Sequence, residues 1–184
     1  IIIRCTIPVD TGGGKEHAPE TSLLNRLPDG GKRYMDQAQA LEEGKLHPAF
    51  GYLFDTQQKL CQLMALKYGF GVRLRKAYQE KDHRALIACM MECETILEKM
   101  ENFYTAFEKQ WHMENKPHGF DIQDLRLGGV MRRMEHVKRK ISKYLHGATD
   151  RIPELEETIL PADTDWYTNW EPAVSPNVIY HIFE

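Results

Sequence analysis

LIACMMECETILEKMENFYTAFEKQW, Leu86 to Trp111, places Leu86, Met90, Cys93, Leu97, Met100, Tyr104, Phe107 and Trp111 at alternating steps of four and three. At 3.6 residues per turn this spacing holds the apolar side chains on one stripe for about seven turns. The stretch predicts a single long helix whose stripe is buried against neighbours.

Two further runs supply those neighbours. Ile122, Leu125, Val130, Met134, Val137, Ile141 and Leu145 recur at steps of three to five, and Gly147 follows them, where a helix commonly closes on a left-handed glycine. Phe54, Leu60, Met64, Tyr68, Val72 and Ala77 mark a helix over residues 50–78, with Gly69 and Gly71 predicted to kink it. Shorter helices are expected over 32–46 and 153–159. The fold class that follows is all-α, an antiparallel bundle of long helices with short loops over residues 31–160. Residues 1–30 read as a leader or linker that opens on the strand-like Ile1-Ile2-Ile3, and residues 161–184 as a tail packing on the bundle. TGGGKE, Thr11 to Glu16, lacks the GxxxxGK[ST] spacing that surrounds a phosphate with backbone N–H groups, so it reads as a flexible connector.

WHMENKPHGFDIQDLRLGG, Trp111 to Gly129, joins the two long runs. Pro117 has no N–H to donate and biases Lys116 away from helical angles, so the first helix must stop near Asn115. Asp121 is the expected N-cap of the next helix, and Asp124 falls in its first turn, where the positive end of the dipole favours an acid. Gly128 and Gly129 each cost a helix interior about 1 kcal/mol against Ala, which predicts another backbone or a ligand packed close to them. Capping leaves Trp111, Glu114, Asn115 and Arg126 unexplained. These four are the candidate contact residues, facing a neighbouring domain or the rim of its pocket, while an internal pairing of Arg126 with Glu114 or Asp124 and a Trp111 plug of the bundle end is the structural alternative.

A chain of 184 residues, 42% apolar and with a formal charge of −3, suits one domain with a real core and offers no basic field for nucleic acid or an anionic membrane. Its apolar runs fall short of the roughly 18 residues of a spanning helix. Of the four cysteines, Cys89 and Cys93 lie at i,i+4, but no CxxC or nearby Cys/His pair completes a metal set, and Cys93 falls on the apolar stripe. Such cysteine usage fits a reducing, cytoplasmic setting. His112, His118 and His136 are scattered, and neither HExxH nor a Ser/His/Asp arrangement occurs, so no catalytic residue, metal or cofactor is assigned. The opening at Ile1 without an initiator Met leads us to expect a piece of a longer polypeptide.

The block WHMENKPHGFDIQDLRLGG, with the basic helix after it and DRIPELEE from Asp150 to Glu157, resembles the C-terminal helical domain of a bacterial subgroup of family-20 glycoside hydrolases, the exo-acting β-N-acetylhexosaminidases. ALKYGFGVRLRKAY, Ala65 to Tyr78, is similar to an earlier helix pair of that domain, and NWEPAVSPNVI, Asn169 to Ile179, to its tail. The resemblance implies a domain beside a (β/α)8 catalytic barrel of the same polypeptide that removes terminal N-acetylhexosamine residues from glycans. In that family the substrate's acetamido oxygen attacks the anomeric carbon, served by an adjacent Asp-Glu pair. No Asp-Glu dipeptide occurs in this chain, and a barrel typically takes about 250 residues. The expected role is therefore non-catalytic: buttressing the barrel or forming a homodimer interface. A free-standing helical interaction module is the alternative.

Overall fold

The computed structural model describes residues 29–157, and within them no strand forms. The strand-like Ile1–Ile3, the TGGGKE connector and the tail at 161–184 lie outside the described residues. The elements are α1 (Gly30–Ala40), a 3₁₀ turn (Glu43–Leu46), α2 (Gly51–Lys67), α3 (Phe70–Gln79), α4 (His83–Glu114), α5 (Phe120–Leu145) and the single turn α6 (Pro153–Glu156).

α4 is the spine predicted from its stripe. It starts where the Asp82 carboxylate accepts a hydrogen bond from the Ala85 N–H at 3.0 Å, satisfying one of the free donors of a helix start. It stops at Asn115, which turns to φ −124°, ψ 165° two residues before Pro117. Its most buried positions are Leu86, Cys89, Cys93, Ile96, Met100 and Ala106, whereas Met90, Leu97, Tyr104, Phe107 and Trp111 are only half-buried. The buried band is displaced from the predicted stripe because α4 packs against three helices, α2, α3 and α5.

The neighbours run antiparallel. Thr56 near the start of α2 donates from its hydroxyl to the Ala106 carbonyl late in α4. Glu94 early in α4 pairs with Lys138 late in α5 at 2.5 Å. The helix expected over residues 50–78 is broken rather than kinked: Gly69 separates α2 from α3, and the change of direction places Phe70 and Leu74 in the core at 0% and 1% exposure. They meet Leu86, Cys93, Ile96, Met134, Ile141, Ile152 and Leu155 in one cluster spanning α3 to α6. Burying apolar surface at about 25 cal/mol per Å2 makes this cluster the main stabilising term of the domain.

Close approach involves other glycines than those expected. A Cβ on Gly30 would fall 2.2 Å from the Tyr68 ring, and one on Gly51 2.3 Å from the Lys45 carbonyl. Bare backbone at these two points lets α1 and the 3₁₀ turn lie directly against α2.

Candidate functional site at the α4–α5 junction

The junction is built around an aromatic cluster. Phe120 opens α5 and is buried; its ring centroid lies 5.8 Å from those of Trp111 and Tyr104 and 5.9 Å from that of Phe107. The Trp111 indole N–H donates to the Lys116 carbonyl at 3.0 Å and so closes the loop that Pro117 forces open. Gly119 is the N-cap of α5 at φ +96°, a conformation that L side chains rarely adopt, and a Cβ there would lie 3.5 Å from the Trp111 ring. Asp121 is therefore a first-turn acid and not the predicted N-cap. The helix starts two residues earlier than Asp121 could cap it, on a positive φ that a glycine supplies.

Glu114 turns toward α2. Its carboxylate accepts from the Tyr52 hydroxyl at 3.0 Å and from the Gln110 amide at 3.1 Å. Asp124 accepts from the Tyr104 hydroxyl at 2.6 Å; that bond first, and burial second, push the Tyr104 phenol up to about 12. Both acids expected as alternative partners of Arg126 are thus taken by phenols. Arg126 is exposed and forms no ion pair among the described residues, and the exposed Asn115 side chain makes no hydrogen bond among them. Gly128 and Gly129 are exposed as well, and a Cβ at either meets nothing within 4 Å, so the predicted close packing does not occur within the described residues. They share the outer face of α5 with Leu125, 71% exposed.

The structure therefore divides the sequence candidates. Trp111 is half-buried against Phe120 and Glu114, though exposed, is tied to α2, while Asn115, Arg126, Gly128 and Gly129 look outward without such partners among the described residues. Sequence reasoning missed Tyr52 and Phe50, which reach this end only because α2 runs antiparallel to α4. Leu46 at 85% exposure, Phe50 at 53% and Met113 at 57% make this end unusually apolar, and the Phe50 ring stacks on His47 at 5.2 Å.

Elsewhere, a small pocket of about 10 Å3 beside Leu74, Val137 and Leu155 has room for nothing larger than a water molecule. An open groove of about 530 Å3 is lined by His136, Arg139, Lys140 and Lys143 of α5 and by Thr149, Arg151 and Pro153 beyond it. Burial, then the Lys140, Arg139 and Lys143 charges, hold the His136 imidazole below its ordinary value. Burial pushes the Cys93 thiol up to about 12, which disfavours the thiolate a metal needs. Among the described residues no group of three or more His, Cys, Asp or Glu could hold a metal ion, and no helix is long and apolar enough to cross a membrane.

The family model described as Glycoside Hydrolase 20C C-terminal domain matches residues 24–174. No curated protein matches the chain.

Proposed function

Since this chain belongs to the C-terminal domains of family-20 glycoside hydrolases, we propose that it is a non-catalytic prop for the (β/α)8 barrel of the same polypeptide, in an enzyme that removes terminal N-acetylhexosamine residues from glycans. The observation that carries the docking geometry is the apolar end made by Leu46, Phe50 and Met113. Three large apolar side chains exposed on the 3₁₀ turn, at the N-cap of α2 and in the last turn of α4 are the kind of surface an interdomain contact covers. Asn115 and Arg126 supply unpaired donors beside it, suited to the polar rim of such a contact. Trp111 and Glu114 act one step back, fixing the loops that present these groups.

Hydrogen exchange tests this reading by comparing the complete enzyme with the isolated chain. Amides of residues 43–53 and 111–116 should exchange more slowly in the complete enzyme, and equal rates at both segments would move the contact elsewhere. Slow exchange in an isolated chain that sediments as a dimer would assign the same end to self-association instead.

A further inference from the structure

We propose that the basic groove between the end of α5 and the loop before α6 is the docking site for this chain's own acidic C-terminal segment, residues 158–184. The groove presents Arg139, Lys140, Lys143 and Arg151 with His136. Lys140 is paired with Glu154. Arg139, Lys143 and Arg151 are exposed and have no carboxylate partner among the described residues. Asp150, the acid of that loop, does not line the groove. Three unpaired cations thus converge on one concave surface in a chain whose net charge is −3.

The compensating charge lies downstream. Residues 158–184 contain Asp163, Asp165, Glu171 and Glu184 and no Lys or Arg. The segment departs from Glu157, one short helical turn beyond Pro153, which itself lines the groove. The family match continues past Glu157 to residue 174 and so takes in Asp163, Asp165 and Glu171. An extended chain covers about 3.3 Å per residue, so the six residues from Glu157 to Asp163 allow a reach of about 20 Å. Trp166, Tyr167 and Trp170 interleave with these acids, and aromatic faces add cation–π attraction to guanidinium groups. The pairing is intramolecular, so the high effective concentration of a tethered partner favours it over free anions.

The test is carbodiimide cross-linking of the full chain at low protein concentration, with the monomer band mapped by mass spectrometry. Lys143 and Lys140 should join to Asp163 or Asp165, and the yield should fall several-fold in 0.5 M salt. A charge swap supplies the second readout. Arg139→Glu with Lys143→Glu should abolish these links and make the segment more protease-sensitive, and adding Asp163→Lys with Asp165→Lys should restore the resistance. Cross-links from Asp163 and Asp165 to lysines outside the groove, or no rescue by the swap, would overturn the proposal. So would full protection of the segment in the Arg139→Glu, Lys143→Glu variant.

Discussion

The Tyr52 hydroxyl donates to the Glu114 carboxylate at 3.0 Å, joining the first turn of α2 to the last turn of α4 across 62 residues of sequence. Their partnership places the 3₁₀ turn and Phe50 next to the α4–α5 loop, and so assembles the apolar end. The bond is exposed, so its role is to fix the register of the loops more than to hold the domain folded. Glu114→Ala should leave the melting temperature of the isolated chain nearly unchanged, and in the complete enzyme should lower the melting temperature or activity. Global unfolding of the isolated variant by circular dichroism would show instead that the contact is structural.

Gly119→Ala should destabilise the chain by about 1–3 kcal/mol, the range for a residue forced into a sparsely populated backbone region. Steric crowding adds little, because the nearest ring atom is at contact distance. Urea titration reads the change, and a variant as stable as the parent would mean the loop re-forms without the positive φ.

Gly129→Ala has the opposite sign. With helical backbone and open space around it, the substitution should stabilise the isolated chain by about 0.5–1 kcal/mol through helix propensity. The same substitution becomes a probe of docking: if the outer face of α5 meets the barrel, it should weaken the complete enzyme while strengthening the isolated domain. Gains in both would leave this face in solvent.

Tyr78 carries the connection between α3 and α6. Its hydroxyl accepts from the buried Ile152 N–H at 3.0 Å and donates to Glu156 at 2.5 Å. Tyr78→Phe strands a buried N–H, so a loss of about 1–3 kcal/mol is expected, with the fastest-rising hydrogen exchange at residues 150–156. Exchange rising uniformly across the domain would show that α6 is not a separate cooperative unit.

At high pH the Tyr104–Asp124 bond sets a slope. The folded Tyr104 phenol is raised to about 12 from an ordinary 10.0, so the unfolded chain releases this proton first. Its contribution is complete below pH 10 and is lost as pH rises toward 12. The melting temperature should therefore fall more steeply between pH 10 and 12 in the parent than in Tyr104→Phe, and parallel curves would remove Tyr104 from the account.

The long helices were legible because their period is local and their breakers are explicit: Pro117 ends α4, and Gly147 follows α5 at φ +70°. The band that α4 buries was not, since it depends on how many partners the helix has: Cys89 and Ile96 are buried although they lie off the four-three stripe. The junction was legible as a loop and a plug. Which residues Glu114 and Asp124 would meet was not, because Tyr52 is distant in sequence and Tyr104 reads equally well as core. Paired glycines misled for a similar reason: a missing side chain signals close approach only when a neighbour is there, as Tyr68 is at Gly30.

α4 continues for 32 residues without interruption, a span of about 48 Å. A rod of that length works as a ruler. The apolar end and the basic groove sit toward its opposite tips, so whatever is seated at one is held at a fixed spacing from what is seated at the other.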